Sequence, residues 1–202
     1  LDAELNGEVQ LPQDKMPLNL TLNVAKGQYA FVNTMAPLKI NDVTLKLTGD
    51  LLNYHAELKG GVDGMDYIPA SQVDLNADGK LYEVTVNKLG IASLDGKSEF
   101  VGTANWKEGA NWDVQADLEK MNIGFYVPVM PATLSGKLHS RGFAGSQGWQ
   151  VELPVADLNG TLSSNPISLK GSATLNQNVL LTVPDLQVRY GENHLNARGV
   201  LD

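Results

Sequence analysis

The residues with the best claim to chemistry are few. Asp74-Leu75-Asn76-Ala77-Asp78-Gly79 reproduces the opening of a calcium-binding EF-hand loop, in which alternate oxygen ligands wrap a hard cation. That loop needs a bidentate Glu at its twelfth position, where this chain has Thr85. Two-residue periodicity also runs through the segment, so it reads as the polar edge of a strand. His55, His139 and His194 lie far apart in alternating sequence, none at a metal-ligand spacing, and read as members of a polar strand face. No serine has the Gly-x-Ser-x-Gly context of a nucleophile elbow. The spacing Gly142-x-x-Gly145-x-x-Gly148 fits neither a P-loop nor a dinucleotide fingerprint, and no helix follows it, so Gly142–Gly148 reads as a flexible turn. Trp106, Trp112 and Trp149 flank turns; they suit a carbohydrate platform or, as the better fit, caps at the ends of an apolar interior. The sequons Asn19-Leu20-Thr21 and Asn159-Gly160-Thr161 are assigned no role. No catalytic residue, metal or cofactor is expected, and an enzyme is the least supported class.

The elements that position these residues are strands. Leu18, Leu20, Leu22 and Val24 alternate with Asn19, Thr21 and Asn23; Val43, Leu45 and Leu47 alternate with Thr44, Lys46 and Thr48. The period returns at Trp112, Val114, Ala116 and Leu118, at Trp149, Val151 and Leu153, at Ile167 to Leu175, at Val179, Leu181 and Val183, and at Leu186, Val188 and Tyr190. Turn signals separate the runs: Leu52-Asn53, Gly60-Gly61-Val62-Asp63-Gly64, Lys107 to Asn111, Gln177-Asn178 and Gly191-Glu192-Asn193. Short turns between strands predict an antiparallel meander of roughly a dozen or more strands. Met121 to Pro131, with clustered apolar residues and two prolines, breaks the rhythm and predicts a short helical turn or a crossover covering one end.

Composition narrows the function classes. The 202 residues are 43% apolar but only 6% aromatic and 19% charged, a palette suited to strands with one polar face. A net charge of −8 argues against nucleic acid, which needs clustered Lys and Arg, and against electrostatic docking on anionic headgroups. Cysteine is absent, which excludes disulfides and thiolate chemistry. No signal peptide or transmembrane stretch is seen. The chain opens and closes inside alternating segments, so 1–202 is read as one continuous β segment of a longer protein.

An apolar-polar-Gly-polar-apolar pattern recurs around Gly7, Gly49, Gly79, Gly102, Gly136, Gly160, Gly171 and Gly199, with Val101 and Val200 the only intervening residues that are not polar. Positions i, i+2 and i+4 of a strand share one face, so each glycine removes bulk from the apolar face and lets the sheet bend or a neighbour approach. The apolar stripe admits two readings, a filled sandwich or barrel core and an open groove. The long meander and the recurring Gly and Ala favour the groove. The expected fold is therefore all-β: an elongated, curved antiparallel meander forming an open groove with an apolar concave face. An exposed concavity of this kind marks a binding surface, and acyl chains suit it at about 0.8 kcal/mol per CH₂ buried. The lining residues expected are Leu20, Leu22, Leu45, Leu47, Val114, Leu118, Leu169, Leu181, Val188 and Leu195.

The segments Gly109-Ala110-Asn111-Trp112-Asp113-Val114-Gln115-Ala116-Asp117-Leu118 and Met130-Pro131-Ala132-Thr133-Leu134-Ser135-Gly136-Lys137-Leu138, joined by Val155–Leu162 and Leu186–Gly199, carry a resemblance. They resemble the periplasmic β-rich region of the AsmA-like family, and this style of repeat covers nearly the whole chain. The resemblance implies an inner-membrane-anchored protein of a diderm bacterium, with a groove-shaped sheet crossing the periplasm and carrying phospholipids to the outer membrane. It also implies a link, through the outer-membrane partner TamA and regions outside this chain, to the assembly of outer-membrane proteins. The leading reading is a lipid conduit segment whose partners are phospholipid acyl chains. The alternatives are a chaperone-like groove for outer-membrane strands and a filled sandwich serving as a spacer.

Overall fold

The computed structural model describes residues 2–9, 17–29, 38–50, 52–63, 68–126, 128–129 and 131–201. The protein is all-β: among the described residues thirteen antiparallel strands follow one another in chain order in one open sheet, and the only helix is a 3-10 turn at Ile123–Phe125. The chain divides into two compact units, Leu1–Leu94 and Asp95–Asp202.

Unit 1 holds β1 (Asp2–Val9), β2 (Leu18–Tyr29), β3 (Leu38–Gly49), β4 (Tyr54–Asp63), β5 (Ser71–Lys80) and β6 (Glu83–Ser93), each paired with the next. The register follows from the alternation, because a slip by one residue would turn every apolar side chain to the polar face. Gly60 and Gly61, expected as a turn, lie inside β4. They stand beside an irregularity in β3 between Asn41 and Thr44, where Asp42 takes a φ of 51°. A Cβ on Gly60 would lie 2.5 Å from a methyl of Val43, so glycine here serves close approach within the sheet. Gly64, the last residue of that expected turn, lies outside the described residues.

Unit 2 holds β7 (Gly96–Asn105), β8 (Ala110–Asn122), β9 (Ala132–Gly145), β10 (Gly148–Leu162), β11 (Asn165–Asn176), β12 (Leu181–Tyr190) and β13 (Asn193–Leu201), again paired in sequence order. Ser163 and Ser164, with φ of 46° and 68°, make the two-residue turn between β10 and β11 whose twist matches the flanking strands. Gly142 to Gly145, expected as a flexible turn, instead continues β9, and only Ser146 and Gln147 turn. The cause is pairing: Gly142 stands opposite Trp112 on one side and Val151 on the other, and both ladders run on to Ala144. Val179, expected in a strand, is a turn residue with a φ of 61°. The break after β8 is the helical turn foreseen. Asn122 Oδ1 accepts from the Gly124 N–H at 3.1 Å, and its Nδ2 donates to Asp95 Oδ2 at 3.1 Å. Phe125 and Tyr126 then pack edge to face, with centroids 5.1 Å apart, and both are exposed. Val127 and Met130 of this segment lie outside the described residues.

Neither unit has a second layer among the described residues: extensive contacts join only strands adjacent in order, apart from the 3-10 turn against β9. Partly buried and exposed positions alternate cleanly, as along β7 and from Ala156 to Leu162 in β10. The only buried apolar residues described are Val24, Ala77, Ala116 and Ala132, and no large side chain is fully enclosed. A filled sandwich, in which two inner faces interdigitate, is thus not what either unit forms within itself.

Candidate functional site

Cross-strand pairs share a face, so the register assembles rows of side chains perpendicular to the strands. In unit 1 one row is leucine throughout: Leu5, Leu22, Leu45, Leu58, Leu75 and Leu89, one from each strand. At about 4.8 Å per strand the row runs roughly 24 Å. Beside it lies a row of Gly7, Leu20, Leu47, Ala56, Ala77 and Val86. Leu20, Leu22, Leu45 and Leu47 are therefore direct neighbours. Leu58, Leu75 and Leu89 escaped sequence reasoning because a presumed turn, an acidic calcium-like segment and the irregularity between Asn76 and Ala77 masked their alternation.

In unit 2 the corresponding row is Leu118, Gly136, Leu158, Leu169, Val188 and Leu195. A second, nearer the other strand ends, is Trp112, Gly142, Val151, Leu175, Leu181 and Leu201. Val114 lies between these rows opposite Ser140. All six expected residues of this unit share the apolar face. They are partly buried except Leu195, which is 58% exposed on the last strand.

At several points on these faces a glycine lies beneath a larger neighbour. Gly79 lies opposite Tyr54, whose ring occupies the place of a Cβ. Gly136 has a φ of 140°, and an added Cβ would overlap the Asp157 carbonyl oxygen and lie 2.9 Å from Leu158 Cα. Trp112 lies over Gly142, its ring carbon Cζ2 2.5 Å from where a Cβ would stand, and its Nε1–H donates to Ser140 Oγ at 3.1 Å.

The opposite face is a solvated polar ladder. In unit 2, Lys137 meets Asp117 at 2.7 Å, Lys170 meets Asp157 at 3.2 Å, and Arg141 meets Glu152 at 2.6 Å. The Arg141 guanidinium holds the Glu152 carboxyl below its ordinary value. In unit 1, Asp74, Asn76 and Asp78 stand along β5 as an extended strand, not as a cation-wrapping loop. Asp74 takes Lys88 at 3.1 Å, and Asp78 takes His55 at 2.8 Å and Asn87 at 2.6 Å. That hydrogen bond, donated by the His55 ring to the Asp78 carboxylate, raises His55 above 6.5 and holds Asp78 below 3.8. His139 bonds Asp113 at 2.7 Å, and His194 stands opposite Arg189 in the last strand pair. Among the described residues no group of three or more His, Asp or Glu is placed to hold a metal ion. Such exposed pairs contribute at most about 1 kcal/mol each; their larger effect is to fix register, since a slip would put charges among the leucines.

Comparison with known proteins gives the family. The family model described as "TamB, N-terminal domain" matches residues 1–202. The chain is 89% identical over all 202 residues to the translocation and assembly module subunit TamB of Haemophilus influenzae. It spans only 16% of the length of that relative. No solved structure matches. A match over the entire chain, on a sheet of this repeat pattern, means that the chain belongs to the TamB N-terminal domain family.

Proposed function

We propose that this chain is a β segment of an inner-membrane-anchored, periplasm-spanning protein that carries phospholipids between the inner and outer membranes in support of outer-membrane biogenesis. The observation that carries the reading is the pair of apolar faces with no second layer among the described residues: the leucine row of unit 1 and the Leu118–Leu195 row of unit 2. Each fully buried Leu is worth about 1.5–3 kcal/mol, and these side chains realise only part of that within the sheet. Acyl chains laid along the rows recover the remainder without directional bonds, which permits sliding. In this reading the polar ladder keeps the other face in water and no residue performs covalent chemistry. The single continuous segment 1–202 serves as one stretch of the path. TamA is engaged through regions outside it, within a translocation and assembly module such as the relative's name describes.

That name also favours a second reading, a chaperone-like groove that shelters outer-membrane strands before assembly, with client strands adding to open sheet edges. Native mass spectrometry of the full-length protein, extracted without added lipid, separates the two. Co-purified diacyl phospholipid is the expected result. Absence of lipid, with unfolded barrel segments captured instead, would overturn the conduit reading in favour of the chaperone one.

A further inference from the structure

On the apolar face of unit 2 two serines interrupt the alternation, Ser98 on β7 opposite Leu118 and Ser140 on β9 opposite Val114, and Ser140 is the one held by the Trp112 indole. Along β9 the residues on that face are Leu134, Gly136, Leu138, Ser140, Gly142 and Ala144, and Ser140 alone is polar. Its hydroxyl accepts the Trp112 indole N–H, which occupies one lone pair and leaves the hydroxyl proton to point elsewhere. No acceptor for that proton stands among the described residues. The surroundings are apolar: Val114 is opposite on β8, with Leu138 and Gly142 two residues away on either side. On the β10 side the ladder opens. Glu152 pairs with Arg141 and Val155 with His139, so Leu153 and Pro154 together face Ser140 without pairing to it. Proline brings no N–H to this gap. The result is a hydroxyl held in place by Trp112, with no acceptor among the described residues, in an apolar field. A hydroxyl in such a place gains by bonding whatever carbonyl the occupant carries.

We propose that Ser140, positioned by Trp112, donates its hydroxyl hydrogen bond to the ester carbonyl of an acyl lipid lying on unit 2. The proposal rests on the acyl-chain reading above and adds to it a recognition element: the face prefers ester-linked over ether-linked chains. Ether lipids have the same tails and headgroups but no carbonyl acceptor. The test places a benzoylphenylalanine at Val114 in the full-length protein, exposes it to an equal mixture of dipalmitoyl phosphatidylcholine and its dihexadecyl ether analogue, and weighs the covalent adducts. The wild-type background is expected to favour the ester lipid about fivefold, as one neutral hydrogen bond provides. Ser140→Ala is expected to bring the ratio to one while total adduct is retained, and Ser140→Thr to restore the preference. Equal ester and ether adducts in the wild-type background, or an ester preference that survives Ser140→Ala, would overturn the assignment. If neither lipid forms an adduct at Val114, the acyl-chain reading of this face fails, and the ester assignment with it.

Discussion

Replacing Gly136 by alanine puts a methyl group where the sheet has no room for one. The glycine holds a φ of 140°, and the added Cβ would overlap the Asp157 carbonyl oxygen of β10. The backbone strain is worth about 1–3 kcal/mol. Overpacking against main chain, which cannot rotate away as a side chain does, adds about 1–3 kcal/mol. Alanine recovers about 0.5–1 kcal/mol of chain entropy within a strand. The net is a destabilisation of roughly 1–5.5 kcal/mol localised to β9 and β10. Amide hydrogen exchange read by mass spectrometry is the suitable assay, because an array of adjacent strands opens locally before it opens as a whole. Peptides of β9 and β10 should exchange roughly fivefold to ten-thousand-fold faster. Gly199 occupies the same place in the repeated pattern, yet no atom lies within 4 Å of its Cβ position. Gly199→Ala should therefore leave exchange unchanged or slow it slightly. Gly79→Ala should fall between, since what must yield is the Tyr54 ring, the far end of a side chain. If Gly136→Ala and Gly199→Ala differed by less than about threefold, the argument that strand glycines serve close approach would be wrong.

Two further consequences follow from the polar face and the helical turn. The charge-assisted part of the His55–Asp78 bond stabilises unit 1 while His55 is charged and Asp78 ionised. Because His55 is raised, its contribution is complete below 6.5 and is lost as pH rises through the folded value; because Asp78 is lowered, its contribution is complete above 3.8 and is lost as pH falls through the folded value. An NMR titration should thus place His55 above 6.5, and Asp78→Asn should return it toward 6.5; an unchanged titration would sever the coupling. Asn122→Ala removes both the cap on Gly124 and the link to Asp95, at a cost of about 1 kcal/mol, and should speed exchange across 123–126 while leaving β11 to β13 unaffected.

The strand pattern was legible in the sequence because one face of each strand is apolar and the other polar, so Leu20, Leu22, Leu45 and Leu47 announce both their strands and their shared side. What alternation does not encode is where one strand carries an extra residue. The irregularities between Leu118 and Met121, between Ser172 and Thr174 and between Val183 and Leu186 reset which positions share a face, and each depends on cross-strand geometry. The same limit explains Gly60 and Gly61. A glycine pair reads as a turn in one dimension, yet in three it makes room for Val43. Trp112 was noticed as a cap, but its bond to Ser140 joins residues 28 apart in sequence, and nothing local marks that serine as different from others in the chain.

The central claim, that the apolar rows hold acyl chains, is tested most directly by site-specific photocrosslinking in cells. Leu47 and Leu181 lie on the apolar face, while Lys46 and Thr182 lie on the polar face of the same strands. A photoreactive residue at Leu47 or Leu181 should capture phospholipid, and one at Lys46 or Thr182 should not. Equal lipid capture at all four positions would contradict the account.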